Sequence, residues 1–179
     1  MLMMRTLSAD AKEQNWIGVV RTNRIRMEPA GNRHQNAELK DRATLGSVLG
    51  ATVPESWPPQ VVPPPHPGGA AEWVTLYVVH EKAGETPTVI GVAGMARWVG
   101  GETMQFGGSL LREWQRDGLG AEMTVALADW AMQQDGVGRI VCDIPEAQHA
   151  AAKCLRKAGY SATPDPPAEG FVRWERRRA

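Results

Sequence analysis

The sequence predicts one α/β (α+β) domain with a mixed, mostly antiparallel central sheet, a βαβ crossover and flanking helices. The middle of the chain, from Trp73 to Leu111, holds three strand-like runs joined by short polar turns. The apolar period then becomes helical between Leu119 and Ala131. A short apolar run, Arg139–Ile144, follows, and strand, helix and strand in this order form a parallel crossover.

Length and charge restrict the classes of protein. The chain has 179 residues, which suits one domain, and 20 basic residues balance 20 acidic ones. We therefore expect no nucleic-acid partner and no membrane partner held by bulk charge. The two cysteines, Cys142 and Cys154, are too few for a disulfide framework or a zinc cluster, so no metal is expected. A cytoplasmic protein with reduced thiols, monomeric or homodimeric, is the expectation.

Secondary structure is sparser in the first third of the chain. Residues 1–21 are expected to be an irregular N-terminal segment, although the apolar run Trp16–Val20 is compatible with a strand. The alternating residues Arg24–Glu28 predict a short strand that Pro29 ends. Apolar residues at helical spacing predict one helix over Asn36–Leu49, stopped by Gly50.

A proline-rich loop, residues 54–67, separates this part from the strands. Proline fixes φ and removes a backbone donor, so the loop is expected to be extended. It is interpreted either as a stiff surface connection or as a docking motif for a proline-binding module. The first interpretation is favoured because most long loops only connect elements.

The following strands predict an antiparallel meander. They are Trp73–His80, Thr88–Val99 and Thr103–Leu111, all rich in β-branched, aromatic or small residues. After them, the amphipathic helix that begins at Leu119 has Asp117 as its expected N-cap and Gly136 as its stop.

The remaining elements complete the domain, which is expected to span residues 22–175. A second helix is predicted over Ala147–Ala158, because basic residues precede Gly159 at its C-terminus. A last strand is predicted over Phe171–Trp174, and residues 176–179 are expected to form a solvated basic tail.

The segment Gln115–Ala121 carries the chemical signal. A glycine-containing turn that opens a helix presents unpartnered backbone N–H groups and a positive dipole end, so it predicts a site for a phosphate or a diphosphate. A Walker loop is excluded because no Gly-Lys-Ser/Thr follows. A dinucleotide fingerprint is disfavoured because Met123 stands where glycine or alanine is needed.

Gln115, Gly118 and Gly120 resemble the Gln/Arg-x-x-Gly-x-Gly/Ala motif of the GNAT (Gcn5-related) N-acetyltransferases. Thr22–Pro29 resembles the Thr-Glu-Arg-Leu-x-Leu-Arg-Pro opening strand of the branch that acetylates ribosomal-protein N-termini. Gly91–Gly94 resembles that branch's Gly-x-x-Gly strand, and Leu155–Tyr160 resembles its Leu-x-Lys-x-Gly-Phe motif. The resemblance implies the GNAT fold over roughly residues 22–160.

The resemblance also implies acetyl-CoA as co-substrate and transfer of its acetyl group to a primary amine, on a protein N-terminus or a small molecule. The diphosphate of coenzyme A would lie on the backbone N–H groups of the glycine turn. A backbone N–H of the preceding strand would polarise the thioester carbonyl. The implied cofactor-binding residues are Leu110, Leu111, Gln115, Arg116, Asp117, Gly118, Leu119, Gly120, Ala121 and Gln148.

Several polar positions depart from that branch. Gln105–Gly108 stands where Glu-Ile-Gly-Tyr is common, and Gln148 and Ala151 stand where the branch has Asn-x-x-Ser. No tyrosine lies on the second helix to protonate the leaving thiolate. The catalytic residues are therefore left unassigned, and a catalytically weak or inactive acyl-CoA sensor or binding module is the alternative function. Possible substitutes for the missing groups are Glu102, Ser109, Glu146, His149 and Cys154.

Overall fold

An eight-stranded sheet forms the centre of the computed structural model, which describes residues 16–62, 71–98 and 100–178. Its strands are β1 (Val20–Arg21), β2 (Ile25–Pro29), β3 (Ala71–His80), β4 (Thr88–Trp98), β5 (Thr103–Leu110), β6 (Arg139–Pro145), β7 (Ser161–Ala162) and β8 (Phe171–Arg177). The helices within the same residues are α1 (Asn32–Lys40), α2 (Arg42–Leu49), α3 (Leu119–Met132) and α4 (His149–Lys157), with a 3₁₀ turn at Arg112–Trp114. The predicted mixed α/β fold class is confirmed.

The strands lie in the order β1-β2-β3-β4-β5-β6-β8-β7. The predicted meander is present, because β3, β4 and β5 pair in sequence and antiparallel. The predicted crossover is also present, because β5 and β6 are parallel and α3 connects them. The other pairs of neighbouring strands are antiparallel, so the sheet is mixed but mostly antiparallel, as expected.

Helices cover the two faces of the sheet unequally. The α3 face, which carries Met104, Phe106 and Leu110 of β5, packs against α3 and α4 in the main core. The α1 face, which carries Gln105, Gly107 and Ser109 of the same strand, is covered by α1 and α2 only near β2, β3 and β4. No helix within the described residues is both long and apolar enough to cross a membrane.

The single helix predicted over Asn36–Leu49 is wrong, because two helices meet at Asp41. Asp41 has extended backbone angles (φ −169°), and its carboxylate accepts a hydrogen bond from the Thr44 N–H at 2.7 Å. An aspartate in this role caps the start of a new helix. The apolar spacing was continuous across the junction because both helices face the same small core.

Several helices and strands begin or end at other residues than predicted. The strand allowed at Trp16–Val20 is reduced to Val20–Arg21, and Pro29 closes β2 from inside the strand, paired with Leu76. The helix predicted over Ala147–Ala158 begins at His149, and α3 ends at Met132 rather than at Gly136. Residues 1–15 of the expected N-terminal segment, residues 63–67 of the proline-rich loop, and Val99 lie outside the described residues.

The expected solvated tail at residues 176–179 is wrong for Arg176, whereas Arg177 and Arg178 are exposed. Arg176 and Arg177 belong to β8, which continues past Trp174. Arg176 is half-buried, forms a 2.8 Å ion pair with Asp129 and donates to the Ala158 carbonyl. These contacts arise because the side chain of Arg176 lies over the ends of α3 and α4 rather than in solvent.

Residues 54–62 of the proline-rich loop lie against the domain. Trp57 packs on Tyr77, with ring centroids 5.9 Å apart, and its Nε1 donates to Glu38. The Gln60 carbonyl accepts a 2.6 Å hydrogen bond from the Ser109 hydroxyl. These contacts support a stiff connection for this part of the loop.

Substitution of Gly91 is predicted to destabilise the protein, because its surroundings leave no room for a side chain. A Cβ there would lie 2.3 Å from the Ser109 carbonyl oxygen and 2.9 Å from the Leu110 Cα. Because backbone cannot yield easily, Gly91→Ala is expected to lower the free energy of unfolding in urea by about 1–3 kcal/mol. Gly107→Ala is the control, since a Cβ there has no atom within 4 Å. Equal losses in the two variants would contradict the prediction.

Candidate functional site

The parallel strands β5 and β6 separate soon after they begin. They pair at Thr103↔Arg139, Met104↔Ile140 and Gln105↔Val141, and no further pair follows. Both strands continue, however, to Leu110 and Pro145. A gap therefore opens between them towards their C-terminal ends, which is the edge where α3 begins.

Backbone groups of β5 face this gap. The Leu111 N–H donates to the Ile90 carbonyl at 2.8 Å. In an antiparallel ladder the direction of the N–H groups alternates along the strand, so the N–H groups of Leu110 and Gly108 point away from β4 and towards β6. Of the two N–H groups that were alternatives for the thioester carbonyl, that of Leu111 is bonded within the sheet, which leaves that of Leu110; the roles of both residues in cofactor binding stay predictions. Sequence reasoning missed Gly108, since only the register with β4 shows its direction.

The 3₁₀ turn at Arg112–Trp114 leads the chain from β5 to the helix. Gln115 follows it, and its side-chain Nε2 donates to the Leu110 carbonyl at 3.0 Å. Because of this bond, the side chain of Gln115 stabilises the end of β5 rather than pointing outwards. In the same turn, Trp114 packs against His80, with ring centroids 4.9 Å apart.

The glycine turn has an unusual backbone. Arg116 and Gly118 both have positive φ, at 85° and 79°. Gly118 is the N-cap of α3, with no side-chain hydrogen bond, so the prediction of Asp117 as the cap is wrong. The reason is that Gly118, in the left-handed conformation, lies between Asp117 and the helix, so the side chain of Asp117 does not reach the first N–H groups of α3.

An uncapped helix start leaves donors available. Glu122 N–H is the first in α3 to bond within the helix, to the Gly118 carbonyl. The N–H groups of Leu119, Gly120 and Ala121 precede it and belong to the orphan donors of a helix start. Together with the helix dipole, they form a site for a negatively charged group.

Three elements meet at Gly120. A Cβ placed there would lie 3.6 Å from the Cys154 Sγ on α4 and 3.8 Å from the Leu110 Cδ1 on β5. The start of α3, the middle of α4 and the end of β5 thus surround the opening of the gap. Gln148 is the N-cap residue of α4, exposed and without a side-chain cap bond; its role stays a prediction.

A sequence model of the acetyltransferase (GNAT) domain matches residues 35–161, from α1 to β7. The chain belongs to the GNAT acetyltransferase family. The match begins after Thr22–Pro29, the segment that resembles the ribosomal-protein branch. A comparison with curated proteins gives no match.

Solved structures show the same fold. An acetyltransferase from Agrobacterium tumefaciens aligns with a TM-score of 0.56 at 15% identity, covering 90% of this chain and 95% of that one. The N-acetyltransferase PseH from Campylobacter jejuni, solved with acetyl coenzyme A, aligns with a TM-score of 0.53 at 12% identity, covering 87% and 99%. A domain from Methanocaldococcus jannaschii aligns with a TM-score of 0.52 at 12% identity, where the alignment covers 59% of this chain and 66% of that one.

The α1 face of this GNAT domain holds a buried polar group beside the gap. Asp143 accepts two 2.8 Å hydrogen bonds from Arg173, and Gln105 Nε2 lies 3.4 Å from the same carboxylate. The hydrogen bond and charge of Asp143 outweigh burial and raise the pKa of Arg173. Gln105 Oε1 is buried without a partner. Both oxygens of Asp143 are therefore occupied, and Gln105 supplies an amide where the branch that the sequence resembles commonly has a carboxylate.

The suggested substitutes for an acid or a base are placed unequally. Glu102 precedes β5, about 25 Å along the strand from Leu110. Ser109 is engaged with Gln60. Glu146 and His149 are exposed at the edge where β6 ends. Cys154 faces Gly120, and burial raises the pKa of its thiol.

Neither tyrosine reaches the gap from α4. Tyr160 follows that helix into the main core, where burial raises the pKa of its hydroxyl. Tyr77 packs in the smaller core and donates to Glu38 at 2.6 Å; burial is the main reason that its pKa is raised. A tyrosine acid of the usual GNAT kind is thus absent from the described part of α4.

Arg116→Gly is predicted to cost less stability than a glycine at an unstrained position. The left-handed conformation of Arg116 costs about 1 kcal/mol, which offsets the roughly 0.5–1 kcal/mol that a new glycine costs in backbone entropy, so the free energy of unfolding should stay the same or rise slightly. The exposed Arg112, which has no positive φ, provides the control: Arg112→Gly should lower the free energy of unfolding by roughly 0.5–1 kcal/mol. Urea denaturation measures both variants, and an equal loss in the two would contradict backbone strain at Arg116.

Cys154 is predicted to be the thiol that reagents label in the folded protein. Cys142 is fully buried, and burial, with the nearby Asp143 charge, raises its pKa to about 12. Cys154 is half-buried, and burial raises the pKa of its thiol, so its thiolate fraction and labelling rate should climb only at a pH above that at which an ordinary cysteine ionises. Cys154→Ala should abolish native-state labelling, while Cys142→Ala should not; the reverse pattern contradicts the placement of the two thiols.

Proposed function

We propose that this GNAT domain is an acetyl-CoA-dependent N-acetyltransferase that transfers an acetyl group to a primary amine. The observation that carries the proposal is the gap between β5 and β6, which opens directly beside the uncapped start of α3. The family assignment and the PseH structure, solved with acetyl coenzyme A, support it. The free thiols Cys142 and Cys154 are compatible with the expected cytoplasmic location.

The glycine turn suits the diphosphate of the acyl donor. The N–H groups of residues 116–121 would bind its oxygens, because orphan donors and the dipole of α3 both favour negative charge. The pantetheine arm would extend along the gap, where Gly108 and Leu110 offer outward backbone N–H groups. Such an N–H, pointed at the thioester oxygen, would stabilise the negative charge that develops there during attack.

The reaction would proceed by direct attack of the amine nitrogen on the thioester carbon. A C–N bond forms, the C–S bond breaks, and the amine proton must leave while the thiolate gains one. A small alkylammonium has a pKa of about 10.4 and a protein α-amino group one of about 7.7–8.0, so at neutral pH either amine is mostly protonated and must first lose a proton to a base or to water. General acid or base help is worth about 10²–10⁴-fold in rate. Asp143, the buried carboxylate beside β5, is held by two hydrogen bonds from Arg173, so water is our proposed proton carrier.

The acceptor is proposed to approach from the α1 face. A Cβ at Gly107 would have no atom of the described residues within 4 Å, which indicates free space among them beside Gly108 on that side of β5. A protein N-terminus or a small primary amine would fit this description. The resemblance of Thr22–Pro29 to the branch that acetylates ribosomal-protein N-termini favours a protein acceptor.

A specific observation favours the alternative, a catalytically weak or inactive acyl-CoA sensor. Gln105 replaces the carboxylate that is common on this strand, and Asp143 is held by Arg173. A thiol-release assay over a broad panel of primary amines separates the two functions. Turnover well above the rate without enzyme eliminates the sensor, and binding without turnover on any amine or N-terminal peptide favours it.

Substitution of Gly120 is predicted to control acetyl-CoA binding. Gly120→Ala should be tolerated, because the nearest atoms are 3.6 Å and 3.8 Å away, whereas Gly120→Trp fills the opening and should abolish binding. Titration calorimetry measures both variants. Acetyl-CoA should also slow the labelling of Cys154 in the unmodified protein. The proposal fails if the unmodified protein shows no saturable binding, or if Gly120→Trp binds as well as Gly120→Ala.

A further inference from the structure

The turn Thr22–Arg24, which joins β1 to β2, contacts the first turn of α3 across about 100 residues of sequence. The proposed function gives it no role. The carboxylate of Glu122 accepts hydrogen bonds from the Thr22 hydroxyl and the Arg24 N–H on one oxygen. Its other oxygen accepts from Arg24 Nε at 2.7 Å and lies 2.6 Å from Nη2. One short turn thus satisfies the whole carboxylate.

Arg24 also binds the glycine turn itself. Its Nη1 donates to the Asp117 carbonyl at 3.1 Å, and its Nη2 would lie 3.7 Å from a Cβ on Gly118. The guanidinium therefore bridges the residue before the N-cap and the first turn of α3. This bridge orients the peptide planes whose N–H groups form the diphosphate site.

The charges matter as much as the geometry. Burial alone would raise the pKa of Glu122, but hydrogen bonds from Thr22 and Arg24 and the Arg24 charge lower it, so the carboxylate is ionised at neutral pH. An unpaired carboxylate one turn from the diphosphate site would repel a diphosphate and oppose the helix dipole's effect. Arg24 neutralises that charge in place.

We propose that Arg24 is a positioning residue for the diphosphate of the acyl donor, acting through Asp117 and Glu122. The inference rests on the proposed function, because it presupposes that the donor's diphosphate lies on the glycine turn. If Arg24 acts in this way, it contributes only to the binding of donors that carry a diphosphate. Substitution of Arg24 should therefore leave the binding of a truncated donor such as acetyl-pantetheine, which lacks those phosphates, almost unchanged.

The test compares the Kd values of coenzyme A and of acetyl-pantetheine, both measured by calorimetry, so that no acceptor amine is needed. Arg24→Met leaves Glu122 charged and unpaired, so the Kd for coenzyme A should rise about 10–100-fold, while the Kd for acetyl-pantetheine should change less than threefold. Arg24→Met with Glu122→Gln removes both charges and should recover most of the affinity. Arg21→Met is the control, since Arg21 is exposed on the same edge and pairs with Glu81.

The outcomes are distinct. If the unmodified chain does not bind coenzyme A, the proposed function fails. If it binds and Arg24→Met binds equally well, the inference alone fails. If Arg24→Met weakens coenzyme A and acetyl-pantetheine by the same factor, or the double variant is as weak as the single one, Arg24 serves only the fold and the inference is overturned. Should Arg24→Met not fold, the more conservative Arg24→Lys replaces it, with a smaller loss expected for coenzyme A alone.

Discussion

The early separation of β5 from β6 is the constraint on which the candidate site depends. Each strand is held by its other neighbour: β5 pairs with β4 as far as Leu110, and β6 pairs with β8 along its whole length, from Arg139 to Pro145. The outer ladders keep the two strands in place although they share only three pairs. For this reason the sheet stays stable although some peptide groups in the opening have no partner strand: the hydrogen bonds of β5 to β4 and of β6 to β8 hold the two strands.

Close packing of α3 on β5 determines where the opening ends. A Cβ at Gly108 would lie 2.8 Å from the Met123 Cε and 3.2 Å from the Val92 carbonyl oxygen, so the side chain of Met123 on α3 packs directly on the backbone of β5. Its uncapped start therefore lies at the level of the last residues of β5. The same closeness leaves the chemistry to backbone groups, since the side chains of β5 either pack under α3 or lie on the α1 face.

The fold was largely readable from the sequence, and the site only in part. The helical period from Leu119 and the apolar run Arg139–Ile144 predict the crossover, because the residues that an element buries are apolar and recur with the period of that element. The cap at Gly118 and the free N–H of Gly108 depend on left-handed backbone and strand register, which no residue type encodes alone. The junction at Asp41 was missed because the apolar spacing runs on across it, although its cap bond to Thr44 is local. The half-buried Arg176 was missed because its contacts, Asp129 and Ala158, are distant in sequence.

The position of β8 bears on how the protein is made. β8 is the last strand in sequence but lies between β6 and β7, and β6 pairs with it over more residues than with β5. While a ribosome is still adding residues before Phe171, β6 has one open edge and little to hold it beside β5. The strands synthesised earlier can form their meander at once, whereas the half of the sheet that contains β6 and β8 must wait. A nascent chain that ends before Phe171 would form only part of the sheet and would expose that part to chaperones.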